Sequence, residues 1–140
     1  MSTDIEWIEG GCLCSGIRYR VAGSPLHSVN CHCKTCRSAA AAPSVAWVTF
    51  ERDKFELLGG TPVVFRSSAL VRRTFCGTCG TPLTYENEKT PETLDVTTVS
   101  LDDPSLFPPT REIWLEHRIG WQPVNQSLGQ FPRGTSNLPG

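Results

Sequence analysis

No apolar run in this chain approaches the length of a membrane span. The longest, Ala39 to Pro43, is far short of the roughly 20 residues that a spanning helix needs. Met1 to Gly10 carries acids but neither the basic n-region nor the apolar h-region of a secretory leader. Charge of one sign is equally scarce: 13 Lys and Arg against 14 Asp and Glu leave a net charge of -1. The general electrostatic attraction to nucleic acid or to an anionic membrane is therefore missing. Internal repeats are absent too. These absences predict a soluble, cytoplasmic protein with neither a nucleic-acid nor a membrane partner. A length of 140 residues predicts one domain, over residues 1–132. The stretch from Pro123 onward is rich in Pro, Gly, Gln, Asn and Ser and reads as poorly ordered or surface-hugging, with 133–140 as a disordered tail.

What the chain does have is cysteine, 7 in all. An odd number leaves one thiol over in any fully paired disulfide framework, and a chain without a secretory leader has little use for such a framework. The cysteines are grouped. Cys12 and Cys14 form a C-x-C, Cys31, Cys33 and Cys36 a C-x-C-x2-C, and Cys76 and Cys79 a C-x2-C inside Cys76-Gly77-Thr78-Cys79-Gly80. Glycines in that last group permit the backbone conformations of a zinc knuckle. A closed tetrahedral site needs four ligands, so the simplest partition joins Cys12 and Cys14 with Cys76 and Cys79. Cys31, Cys33 and Cys36 then form a second cluster one ligand short, and zinc sites keep a position open for water or substrate in that way. Two other readings stand beside this one. His32, His117, an Asp or a Glu would close the second site, and Cys33 with Cys36 would make a metal-free redox pair.

The periodicity is mainly that of strands. Ile5 to Glu9 and Gly16 to Val21 read as a hairpin with the C-x-C at its bend, because Ile17, Tyr19 and Val21 alternate with Arg18 and Arg20. Further strands are predicted over Leu26 to Asn30, Val45 to Phe50, Phe55 to Leu58, Val63 to Ser67, Leu70 to Phe75, Leu83 to Tyr85 and Thr93 to Val99. Glu112 to Leu115 is a short strand or a helical turn. One helix is expected over Lys34 to Ala42, stopped by Pro43. Trp47, Phe50, Trp114 and Trp121 are most simply core.

Gly10-Gly11-Cys12-Leu13-Cys14-Ser15-Gly16, Cys31-His32-Cys33-Lys34-Thr35-Cys36-Arg37, Phe75-Cys76-Gly77-Thr78-Cys79-Gly80, Trp114 and Gly120-Trp121 together resemble the glutathione-dependent formaldehyde-activating enzyme family, from about Gly10 to Pro132. The resemblance implies a mainly β, Mss4-like sandwich or tent of sheets stapled by cysteine-bound zinc, with one short helix after the central cysteine cluster. It implies a structural zinc on Cys12, Cys14, Cys76 and Cys79. It also implies a second zinc at Cys31, Cys33 and Cys36, the catalytic site, where formaldehyde and a small thiol such as glutathione condense reversibly to S-hydroxymethylglutathione. That reaction is a carbon–sulfur lyase step in reverse.

Three thiolates on Zn2+ leave a net charge of about -1, which weakens its Lewis acidity. Lys34, Arg37, Arg72 and Arg73 are the candidate cations to restore it or to grip substrate carboxylates, each against the simpler reading of a solvated surface charge. His32 lies between two ligands and reads as pointing away from the ion they share. His117 reads as packed and hydrogen-bonded near aromatic side chains. The alternative to an enzyme is a non-catalytic zinc-stapled β domain used for partner binding, and a homo-oligomer is left open. A methionine-sulfoxide-reductase-like role would need a nucleophilic cysteine outside the two clusters, which the count does not provide.

Overall fold

The protein is described by a computed structural model covering residues 6–134. Its elements run β1 (Trp7–Gly11), β2 (Arg18–Ala22), β3 (His27–Cys31), α1 (Lys34–Ala40), β4 (Val45–Glu51), β5 (Phe55–Gly59), β6 (Val63–Ser68), β7 (Val71–Phe75), β8 (Pro82–Asn87), β9 (Thr93–Thr97), β10 (Arg111–Ile113) and β11 (Gly129–Gln130). They form a three-stranded sheet ordered β1-β2-β5 and an eight-stranded sheet ordered β11-β10-β3-β4-β9-β8-β7-β6. The expected mainly β architecture with one short helix is what the chain adopts.

Strand β4 explains how the layers stack. Successive side chains of a strand point to opposite faces, and in β4 both faces are covered. Val48 and Phe50, fully buried, meet Tyr19 and Val21 of the small sheet together with Leu94, Val96 and Leu101. On the other face Val45 and Trp47 pack with Val29, Cys31 and Cys36. Truncating a side chain placed as Phe50 is costs about 3–5 kcal/mol. The small sheet is thus held to the large one by an apolar core, and the central cysteine cluster lies on the far side of β4 from it.

The hairpin of β1 and β2 is antiparallel, with Gly11 paired to Arg18, and the C-x-C occupies its bend. There the Cys12 N–H donates to the Ile17 carbonyl at 3.1 Å and the Ser15 N–H to the Cys12 carbonyl at 3.1 Å. Gly10 has no room for a side chain: a Cβ would lie 2.5 Å from the Tyr19 ring and 2.7 Å from the Ser100 carbonyl oxygen. Strand β1 needs that close approach to the segment after β9, since Gly10 bridges to Leu101.

Several boundaries differ from expectation. Helix α1 stops at Ala40, two residues early, because Ala41 takes a left-handed conformation with φ 50 and ψ 45. Pro43 bars its predecessor from helical geometry, and the chain leaves the helix before reaching it. Strand β9 ends at Thr97, where a 3-10 turn over Thr98–Ser100 takes over. The ambiguous Glu112 region is both things at once, strand β10 followed by a 3-10 turn over Leu115–His117. Beyond Pro123 the chain hugs the surface, and β11 pairs in parallel with β10. Of the expected tail, Arg133 offers its carbonyl to the Trp114 N–H at 3.2 Å, and residues 135–140 lie outside the described residues, as does Ile5 of the first predicted strand. Trp47 and Phe50 are core and Trp114 is half-buried, but Trp121 is 71% exposed and is not a core residue. Among the described residues no helix is long and apolar enough to cross a membrane.

Candidate metal centres and the adjoining cleft

The bend between β1 and β2 supplies Cys12 and Cys14, and the turn between β7 and β8 supplies Cys76 and Cys79. The four sulfurs lie within 4.8 Å of one another, so this cluster ties the small sheet to the large one. Local backbone shapes each half. In the second turn the Gly80 N–H donates to the Cys76 carbonyl at 2.8 Å. Gly80 alone takes the left-handed conformation, with φ 81; Gly77 serves instead by leaving room, since a Cβ there would meet Val63 at 2.9 Å. Backbone N–H groups of Ile17 and Thr78 point at the Cys12 and Cys76 sulfurs, at 3.2 and 3.4 Å. The Thr81 hydroxyl and N–H pull the Cys79 thiol down to about 5. Despite an N–H from Gly16, the adjacent Cys12 and Cys76 sulfurs push the Cys14 thiol up to about 11.

Cys31 ends β3, Cys33 immediately precedes α1 and Cys36 lies in its first turn. These three sulfurs form the second cluster, and among the described residues no His, Asp or Glu joins it. A hydrogen bond from Cys31, then N–H groups of Cys36 and Thr35 and contact with His117, draw the Cys33 thiol down to about 4. Cys36 is lowered first by Cys31 and then by the charge of Arg73. Cys31 is raised by these same two neighbours, Cys33 and Cys36. Of the three, Cys31 therefore keeps its proton longest, and a cation held by these sulfurs would displace it.

Both clusters fit a metal ion by their sulfur spacing. A zinc ion with Zn–S bonds of about 2.3 Å places its sulfurs about 3.8 Å apart at the corners of a tetrahedron. The Cys12–Cys14, Cys14–Cys76 and Cys31–Cys36 sulfurs are 3.6, 3.7 and 3.6 Å apart. All of these are far longer than the roughly 2.05 Å of a disulfide.

The four cations singled out in the sequence separate sharply. Arg73, only 8% exposed, directs Nη1 and Nη2 at the Cys36 sulfur from 3.7 and 3.6 Å and donates from Nε to the Ser67 hydroxyl at 3.1 Å. Its guanidinium also lies over the Tyr85 ring, 5.0 Å from the centroid. Arg37 instead braces the loops, donating to the His32 and His117 carbonyls at 3.1 Å each. Arg72 pairs with Glu86 at 3.7 Å, and the Lys34 side chain is exposed.

His32 is fully buried and turns to Glu112, with Nε2 2.8 Å from Oε1. Glu112 also accepts from Asn30 Nδ2 at 2.8 Å and from the Asn125 N–H at 2.8 Å. Burial would raise its carboxyl, but these donors outweigh burial and hold it below its ordinary value. His117 packs on Trp114 with the rings tilted by 34° and centroids 4.9 Å apart, and accepts the Lys34 N–H at Nδ1. It therefore sits at the edge of the second cluster without joining it.

The three sulfurs line a cavity of about 270 Å3 shared with Tyr85, Asp95 and Trp114. A larger cavity of about 540 Å3 adjoins it, with Cys36, Trp47, Ser67 and Arg73 lining both. Asp95 and Tyr85 were not singled out in the sequence. Asp95 left one local signal, a carboxylate at the centre of strand β9 between buried Leu94 and Val96, in an element where Asp is depleted. Burial pushes its carboxyl up to about 6, against a hydrogen bond from Thr49 at 2.6 Å.

Fold and site together define a mainly β protein with two cysteine clusters able to hold metal ions, one of them open to a cleft. The chain belongs to the glutathione-dependent formaldehyde-activating enzyme family, whose sequence model matches residues 7–117. A crystal structure of a Rhodobacter sphaeroides protein resembles it in fold, with a TM-score of 0.60 at 17% identity, covering 89% of this chain and 99% of that one. No curated protein matches the sequence.

Proposed function

We propose that the protein is a zinc-dependent carbon–sulfur lyase that makes and breaks S-hydroxymethyl adducts of a small thiol, with Cys31, Cys33 and Cys36 holding the catalytic ion and Cys12, Cys14, Cys76 and Cys79 a structural one. The observation that carries this reading is the second cluster: three sulfurs converge on one point, lack a fourth protein ligand among the described residues and face a cleft. Family membership supports it, and the family's description supplies formaldehyde and glutathione as the reference substrates.

A zinc ion on these sulfurs supplies a Lewis-acid position that lowers the pKa of a bound thiol and polarises a carbonyl oxygen. In the forward direction the thiol sulfur bonds to the carbonyl carbon, the carbonyl π pair moves to oxygen, and the thiol proton ends on that oxygen. Arg73 draws electron density from the Cys36 sulfur through its two N–H contacts and offsets part of the negative charge of three thiolates. Asp95 and Tyr85 line the cleft beside the sulfurs and carry the proton from sulfur to oxygen, Asp95 being suited by a carboxyl raised towards neutrality. Trp47 and Trp114 wall the reacting atoms from bulk water.

The test is exchange spectroscopy by NMR on formaldehyde and a thiol, which reads adduct formation and breakdown at equilibrium. Zinc-loaded protein should accelerate exchange and the Cys33→Ser variant should not. Equal rates with wild type, Cys33→Ser and no protein would refute the assignment.

A further inference from the structure

Resting on the carbon–sulfur reading above, we infer that the cleft beside the second cluster takes a thiol with an aromatic or otherwise apolar substituent in preference to the zwitterionic tripeptide glutathione. The larger cavity, about 540 Å3, is of the size that holds a small organic ligand. Its walls are Ala40, Val45, Trp47, Phe65, Phe75 and Pro82, interspersed with Ser and Thr hydroxyls. Among the described residues its one charged lining residue is Arg73, and that guanidinium is already directed at the Cys36 sulfur and the Ser67 hydroxyl.

Glutathione carries two carboxylates and an ammonium. Bound here with its sulfur at the cluster, it would place its two carboxylates against aromatic and aliphatic walls with no free cation among the described lining residues to pair them, and unpaired charge in such surroundings is strongly disfavoured. The cations that might have gripped its carboxylates are elsewhere: Arg37 is bonded to the His32 and His117 carbonyls, Arg72 is paired with Glu86, and neither they nor Lys34 line the cavity. An aryl or alkyl group meets the opposite balance. Phe65, 60% exposed, and buried Trp47 both line the cavity and put aromatic rings beside an aromatic guest. Because Cys36 lines both cavities, a thiol whose sulfur reaches the cluster lays its substituent along this apolar floor.

The experiment compares benzyl mercaptan, ethanethiol and glutathione on the zinc-loaded protein, reading binding by calorimetry and turnover with formaldehyde by NMR exchange. Benzyl mercaptan should exceed glutathione by at least about tenfold in affinity and in kcat/KM. Ala39→Trp, at an exposed helix position on the cavity wall, should cost benzyl mercaptan more than ethanethiol and so remove the advantage of the benzyl group. Phe65→Lys should narrow the gap by adding a cation to the cavity lining. Glutathione binding as tightly as benzyl mercaptan, or Ala39→Trp leaving the benzyl advantage intact, would overturn the inference. If no thiol is turned over yet benzyl binding still depends on Ala39, the proposed reaction fails and the cleft assignment stands.

Discussion

Cys76→Ser removes one of four sulfurs from the cluster that ties the β1–β2 bend to the β7–β8 turn. Cys76 is only 3% exposed and packs with Cys12, Ile17 and Leu83, so its loss is felt inside the fold. Structural zinc contributes about 10–16 kcal/mol in small domains, whereas a whole domain is stable by about 5–15 kcal/mol. Even a third of the metal's contribution, about 4 kcal/mol, lowers Tm by roughly 12–16 °C at about 3–4 °C per kcal/mol for a chain of this size. Cys33→Ser makes the contrasting perturbation. Cys33 is half-buried, its cluster lies beyond β4 from the main core, and α1 and β3 stay packed through Val29, Val45 and Trp47. That variant should melt within a few degrees of wild type while its zinc content falls from two equivalents to one. Calorimetric melting paired with metal analysis reads both effects. A Cys76→Ser protein melting with wild type, or a Cys33→Ser protein still holding two equivalents, would refute the division into a closed and an open site.

The other expectations concern single groups around the cleft. Arg73→Met should lower kcat/KM by about 10- to 100-fold with both zinc equivalents retained, because it removes charge from beside Cys36 and no ligand; wild-type turnover, or loss of the second ion, would contradict that role. Asp95 has a folded-state carboxyl pushed up to about 6 from 3.8, so the folded state binds the extra proton and stability falls as pH rises through that window. Asp95→Asn should abolish this slope and, in urea unfolding at pH 8, gain up to about 2–3 kcal/mol; a loss at pH 8 would overturn the reading. Glu112 is shifted the other way, below 4.5, so its contribution is present above that value and is lost as pH falls through the folded-state pKa. Glu112→Ala leaves His32, Asn30 and the Asn125 N–H without their acceptor and should cost about 1–3 kcal/mol at pH 7, less in acid; an equal cost at both pH values would argue against the charge.

Local chemistry made much of this legible. The alternation of Ile17, Tyr19 and Val21 marked β2, the C-x-C marked its bend, and the grouping of cysteines anticipated which sulfurs converge. What stayed hidden depends on distant partners. His32 and Glu112 meet across 80 residues, and only the parallel pairing of β10 with β3 brings them together. Arg73 reads in the sequence as one of several equivalent cations, and its distinction comes from β7 lying opposite α1 across the cleft. Trp121 lies outside the core against expectation, because an aromatic carries no sign of its burial when the chain around it has no periodicity. The early end of α1 turns on a left-handed Ala41, a conformation nothing in an alanine run foretells.

The central claim is that the second cluster keeps a position for a thiol. Zinc-edge X-ray absorption on the fully loaded protein tests it most directly. Four sulfurs at one site and three at the other predict an average of about 3.5 sulfurs per zinc, rising to about 4 when a substrate thiol is added. An average already at 4 without thiol, or one that stays at 3.5 under saturating thiol, would contradict it.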